Sequence, residues 1–137
     1  MEKPAKVANN VSGVVVFYEN FLVLLGKRSK FCYLTGNPVP YGGYWSIFGG
    51  MLEKNENSRD CAQRELFEET KINVKPSSLN FYNTIKTEDS NFYIYSLHTR
   101  EIPQVTINQE HSTYGWFGIN NLPEKIDSKI SEVIKNI

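Results

Sequence analysis

The sequence predicts an α/β fold, on three observations. Short β-branched and aromatic runs recur between turn-forming clusters. Residues 58–70 contain no Gly or Pro and many helix formers. After the strand-like runs comes an apolar stripe at helical spacing: Ile126, Ile130, Val133, Ile134 and Ile137.

Taken in order, residues 11–17 and 21–25 are apolar runs flanking Tyr18, Glu19 and Asn20, which predicts a β-hairpin. From 26 to 44 the chain turns to Gly, Pro, Lys and aromatic residues, including the stretch GNPVPYGGY. These prolines and glycines exclude a regular helix, and a loop this long in a compact domain is expected to serve function. The helix over 58–70 follows, with Asn57 or Ser58 placed to cap its first turn. Residues 81–87 and 92–99 read as two more strands, separated by the turn-prone Glu88, Asp89, Ser90 and Asn91. Residues 113–117 read as a last strand, and the stripe from Ile126 to Ile137 as a helix packed on the sheet.

Composition bounds what such a fold can do. With 137 residues, 40% of them apolar, and no internal repeat or linker, the expectation is one domain around one core. Fifteen basic and fifteen acidic residues cancel, so no global field holds the chain on nucleic acid or an anionic membrane. Affinity for a charged ligand must be local. The opening MEKPAKVANNVSG lacks the apolar core of a signal peptide, and no apolar run approaches the roughly 18 residues of a membrane span. The expectation is a soluble, cytoplasmic protein. Cys32 and Cys61 are isolated and read as packing residues, not as a disulfide or zinc framework.

The residues that carry chemistry lie on the first helix. Glu65, Glu68 and Glu69 stand at i, i+3 and i+4, so they share one face within a single turn. Like charges at that spacing repel by a few tenths of a kcal/mol per pair, so the cluster opposes folding unless a cation or a basic side chain neutralises it. Ala62 and Leu66 flank this face and are expected to anchor the helix to the core. Such a set suits Mg²⁺, which takes oxygen ligands, keeps several waters and is completed by phosphate oxygens. A glutamate-rich helix face alone reads as solvated surface. The preceding loop decides otherwise: Gly49 and Gly50, then Glu56, then Arg64.

With that loop, residues 50–72 resemble the Nudix box, G-x(5)-E-x(7)-R-E-U-x-E-E-x-G-U with U aliphatic. Gly50, Glu56, Arg64, Glu65, Leu66, Glu68, Glu69 and Ile72 fill eight of its nine specified positions. At average residue usage a chance match is on the order of 10⁻⁸ per window. The departure is Lys71 in place of glycine, at a helix end where a left-handed residue is common; a non-Gly residue there costs roughly 1–2 kcal/mol. Asn55 and Phe48, where the family often has glycine and proline, are likewise backbone changes.

The resemblance implies a mixed β-sheet sandwiched between α-helices and hydrolysis of a nucleoside diphosphate linked to another group, with water attacking phosphorus and Mg²⁺ (or Mn²⁺) neutralising developing charge. It implies Glu65, Glu68, Glu69 and the Gly49 carbonyl as metal ligands, with Glu65 and Glu68 also catalytic. Gly50, Glu56 and Arg64 are then structural, Arg64 pairing with a box glutamate such as Glu56. Family members recruit a further acidic residue from a later loop. Glu110 fits that role as ligand or base, ahead of Glu88 and Asp89, and His111 beside it reads as a surface histidine.

Substrate choice lies outside the box. Arg28 is expected to contact phosphate and Tyr44 to line the substrate site, with Tyr33, Tyr41 and Trp45 available for stacking. Leu24, Leu25, Arg28 and Ser29 resemble the start of a coenzyme A pyrophosphatase signature, but Tyr33 stands where that signature needs arginine. Glu88 and Asp89 replace the markers of ADP-ribose pyrophosphatases and of one dinucleoside-polyphosphate group. NTPs or dNTPs, dinucleoside polyphosphates and nucleotide sugars remain as small-molecule substrates. A silent nucleotide-sensing or protein-binding module is a competing reading that the intact carboxylates oppose. An RNA 5′-end pyrophosphohydrolase is another, opposed by neutral charge and the lack of an evident basic patch. A homodimer is left open.

Overall fold

The computed structural model describes residues 9–137. The signal-peptide expectation concerns the opening residues, of which 1–8 lie outside the described residues. Strand β1 (Asn9–Tyr18) is the axis of a seven-stranded mixed sheet. Its Val14 and Val16 point to one face and Val15 and Phe17 to the other, as the two-residue period of a strand requires. Both faces are covered, which is why the run is continuously apolar rather than alternating. On one face Val14 and Val16, with Leu24 and Phe48, pack on Ala62 and Leu66 of helix α1 (Ser58–Thr70). On the other, Val15, Phe17, Val23, Leu25 and Ile94 pack on Ile130, Val133 and Ile134 of α2 (Ser128–Asn136). The sheet is sandwiched between these helices.

Strand β2 (Leu22–Arg28) joins β1 only at the hairpin end, through Phe17↔Val23 and Tyr18↔Leu22. There it diverges to pair with β3 (Trp45–Ser46). The edge of β1 that it vacates is filled antiparallel by β4 (Phe48–Met51), from Val11↔Met51 to Val14↔Phe48. Strand β5 (Asn80–Lys86) pairs with β6 (Ser90–Thr99), which runs parallel to β1 along its other edge. Finally β7 (His111–Gly118) pairs antiparallel with β2. This splitting of β1 sets Gly49 and Gly50 against Gly13 and Ser12, beside α1.

Several bounds differ from expectation for tertiary reasons. Residues 26–28 belong to β2 instead of the loop, because β3 and β7 pair with them. The two short strands β3 and β4 have no counterpart in the sequence reading; they are two and four residues long, and one carries both glycines. Ile126 and Ile137 fall outside α2: Ile126 bridges to Trp45, and Ile137 is the C-cap. Asn57 is the cap of α1, its side chain accepting from Asp60 N–H at 2.8 Å. The Ser58 hydroxyl is instead 2.6 Å from that of Tyr95. Cys61 is buried in α1, whereas Cys32 is half-buried in the 29–44 loop; both are free. Among the described residues no helix is long and apolar enough to cross a membrane.

Candidate metal and catalytic site

Arg64 organises the loop between β4 and α1. Its Nε and Nη2 donate to the two oxygens of Glu56 at 2.8 and 2.9 Å, and Nη2 also donates to the Met51 carbonyl at 3.1 Å. Glu56 in turn accepts from Glu53 N–H at 3.0 Å, so both of its oxygens are engaged. This pairing holds the Glu56 carboxyl down at about 2, with the Arg64 hydrogen bonds as the largest cause. The same guanidinium reaches the acidic face through Nη1, 2.9 Å from Glu65 and 3.2 Å from Glu68. Arg64 is therefore the basic side chain that offsets repulsion on this face.

The three helix carboxylates sit at different depths. Glu68 is exposed, Glu65 is half-buried, and Glu69 is only 3% exposed. Burial raises the Glu65 carboxyl, with Arg64 pulling the other way. Glu69 is pushed up to about 10, first by burial, then by a hydrogen bond to Glu110 and by the charges of Glu65 and Glu110; a bond from the Gly49 backbone opposes this. Its Oε2 is buried with no hydrogen-bond partner. A buried, unpartnered carboxylate oxygen is costly. That orphan oxygen, within the electrostatic reach of Glu65 and Glu110, is the kind of hard donor a divalent cation takes. Among the described residues no three such side chains converge in a preassembled cage, because Glu65 and Glu68 are turned to Arg64 while Glu69 meets Glu110.

The glycine pair is needed for close approach. At Gly50 a Cβ would lie 2.6 Å from both carboxylate oxygens of Glu65; at Gly49 it would collide with the Ser12 carbonyl. Glu110 comes from the turn before β7. Asn108 Oδ1 accepts its N–H at 3.1 Å, and its carbonyl accepts from Ser29 N–H at 2.9 Å. Glu88 and Asp89 lie on the β5–β6 turn beside the start of β1, where Asn9 N–H donates to Asp89 O at 2.8 Å. His111 departs from the surface reading: it opens β7, packs on Phe48 with ring centroids 4.8 Å apart, and burial lowers it to about 4.

Arg28 and Tyr44 line a cavity of about 470 Å³ whose walls include Tyr41, Trp45, Phe92 and Ile85. Thr87 and Ser90 at the β5–β6 turn and Asp127 and Lys129 at the start of α2 also line it, and none of these four has a sequence signal, since they come from two segments far apart in the chain. Tyr33 is exposed and does not line this cavity. Trp45 also packs edge-on against Phe117, at 4.9 Å between centroids.

The profile of the NUDIX domain matches residues 9–137. The chain belongs to the Nudix family. Membership makes it an enzyme of the pyrophosphohydrolase class. Its fold is similar to that of a Nudix hydrolase from Nitrosomonas europaea, at TM-score 0.76 and 22% identity over 94% of this chain and 69% of that one. It is also similar to a MutT Nudix hydrolase from Burkholderia pseudomallei, at TM-score 0.76 and 20% identity over 95% of this chain and 98% of that one. A bifunctional NMN adenylyltransferase/ADP ribose pyrophosphatase from Francisella tularensis, complexed with AMP and a Mn ion, matches at TM-score 0.69 and 18% identity over 96% of this chain and 38% of that one.

The box departure at Lys71 and the change at Asn55, an unspecified box position, both have a backbone meaning. Lys71 keeps the left-handed conformation (φ 65°) that glycine adopts freely, and its N–H donates to Phe67 O. Its Nζ lies 5.1 Å from the centre of the Phe67 ring, a cation–π contact that offsets part of the strain. Asn55 also has positive φ, 66°, which asparagine tolerates better than most residues.

Proposed function

We propose that the chain hydrolyses a diphosphate linkage in a nucleoside diphosphate derivative, with Mg²⁺ as its cation and Mn²⁺ able to substitute. The substrate classes are an NTP or dNTP, a dinucleoside polyphosphate or a nucleotide sugar. The observation that carries this reading is Glu69, buried with an unpartnered oxygen beside Glu65 and Glu110. Glu65, Glu69, Glu68, Glu110 and the Gly49 carbonyl would hold the cation. When bound, it supplies neutralisation of charge developing on the diphosphate oxygens and on the leaving group. AMP and manganese in the Francisella relative support a nucleotide ligand and a divalent metal.

The chain's own residues do the rest. Arg64 keeps Glu65 and Glu68 in place through Nη1 while Glu56 anchors the other side of the guanidinium. Glu110, exposed yet within hydrogen-bond reach of Glu69, is positioned to take a proton from the attacking water. Arg28 meets phosphate, and Tyr44 lines the cavity that receives the nucleoside. The test is a screen of nucleotide-diphosphate compounds with Mg²⁺, identifying both products. Glu69→Gln is expected to lower turnover by about two orders of magnitude or more with the fold intact, and EDTA to abolish it. Equal turnover without divalent metal refutes the reading. Binding without turnover across the screen points instead to a nucleotide-sensing module.

A further inference from the structure

A second cleft meets the first at Arg28. It has a volume of about 340 Å³ and is lined by Lys27, Arg28, Ser29, Lys30, Phe31 and Ser112. Among the described residues none of its three cations forms an ion pair. In a chain with no net charge, that is a local concentration of positive charge.

The backbone builds it. Lys27 and Arg28 end β2, and both line the cleft where the ladder to β7 is interrupted. Between them the β2–β7 pairing shifts: Lys27 faces Thr113, Arg28 faces His111, and Ser112 is the extra residue of a bulge. The bulged strand is β7, which bends there and brings Ser112 into the cleft, its Oγ donating to the Lys27 carbonyl at 3.4 Å. Lys30 is held by close packing of the returning loop, since a Cβ on Gly42 would lie 2.8 Å from Lys30 Cα. Val39 N–H also donates to Lys30 O at 3.1 Å, and Gly43 N–H to Arg28 O at 2.8 Å. The cleft adjoins the acidic loop, because Ser29 donates through N–H to Glu110 O and through Oγ to Gln109 O at 3.1 Å.

We propose that Lys27, Arg28 and Lys30 form a subsite for a phosphate chain, so that the enzyme selects nucleotides with a triphosphate or longer chain over nucleoside diphosphate sugars. This deepens the pyrophosphohydrolase reading and rests on it. Cleaving one diphosphate linkage already has the carboxylate site and Arg28; two further cations are needed only if more negative charge is bound. A triphosphate carries roughly twice the charge of a nucleotide sugar, whose second group is neutral. Lysine ammonium groups suit such a chain, being mobile point charges that can donate to any phosphate oxygen. Arg28 also lines the aromatic cavity, so it stands between a place for the nucleoside and a place for the chain.

Calorimetric titration with inorganic tripolyphosphate and with orthophosphate, both with Mg²⁺, tests this on the wild type and on Lys27→Gln/Lys30→Gln. The wild type is expected to prefer tripolyphosphate, and the variant to lose at least about tenfold in that affinity with a shallower salt dependence. The kcat/KM ratio of a nucleoside triphosphate to the nucleoside diphosphate hexose of the same base is expected to fall about tenfold as well. Unchanged tripolyphosphate affinity in the folded variant overturns the subsite, as does a wild type that prefers the hexose compound. Lysine-dependent binding of tripolyphosphate without any turnover leaves the subsite standing and refutes the hydrolase reading. Should the double variant not fold, Lys30→Gln at its exposed position gives the same comparison.

Discussion

Replacing Gly50 by alanine separates the geometry of the proposed metal site from the stability of the fold. The new Cβ would lie 2.6 Å from both Glu65 oxygens and inside contact distance of Glu65 Cδ. A comfortable carbon–oxygen separation is about 3.3 Å or more, so the carboxylate must retreat by roughly 0.7–1 Å. Only the end of a flexible side chain moves, at a cost of about 1 kcal/mol or less, while its 2.9 Å bond to Arg64 Nη1 is disturbed. A misplacement of about 1 Å at a reacting centre costs on the order of a hundredfold in rate. Gly50→Ala is therefore expected to lose about a hundredfold in kcat with little change in Tm. Gly49→Ala should behave oppositely in stability. Its Cβ would collide with the Ser12 carbonyl and lie 2.7 Å from Gly13 Cα, both backbone atoms of β1 that yield only if β1 and β4 part. Overpacking of that kind costs about 1–3 kcal/mol, which lowers Tm by several degrees. Steady-state kinetics and thermal melts on both variants decide the matter. A Gly50→Ala enzyme within twofold of wild-type kcat refutes the assignment of Glu65 to the site.

Three further expectations follow from other contacts. Glu56 has its carboxyl held down to about 2 by Arg64, so its contribution to stability is present above the ordinary carboxylate range and disappears as pH falls toward 2. Denaturant melts of Glu56→Gln across that acid range should show a flatter decline than the wild type, and parallel curves would contradict the pairing. Lys71→Gly restores the box glycine and removes about 1–2 kcal/mol of left-handed strain while losing a cation–π contact of about 0.5–1 kcal/mol. A small rise in Tm is expected, and a fall would show that the Phe67 contact outweighs the strain. Glu110→Gln should reduce kcat more than it changes KM, measured with saturating Mg²⁺; an unaffected rate moves proton removal to another carboxylate.

Much of the site was legible because its signals are local. The i, i+3, i+4 spacing of Glu65, Glu68 and Glu69 forces proximity through helix geometry alone. Arg64 meets Glu56 through a loop held by hydrogen bonds from Glu53 and to Met51, all within a short stretch of chain. Nothing local separates the fates of Glu68 and Glu69, which are adjacent in sequence yet exposed and buried. Their difference is roughly 100° of helix rotation against a sheet whose position the sequence does not state. The hairpin, the strands after α1 and the apolar stripe of α2 were legible from periodicity, whereas β3 and β4 were too short to carry a period.

The sequence by itself determined the α/β class, the helix with its acidic face and the Nudix box, because each depends on residues close together along the chain. Tertiary structure alone decided which carboxylate is orphaned, that Glu110 reaches Glu69, and that Lys27, Arg28 and Lys30 share a cleft. Those facts arise where β1 exchanges β2 for β4 and where β7 bulges against β2. They depend on contacts between segments far apart in the chain, whose register is set by packing of the whole sheet.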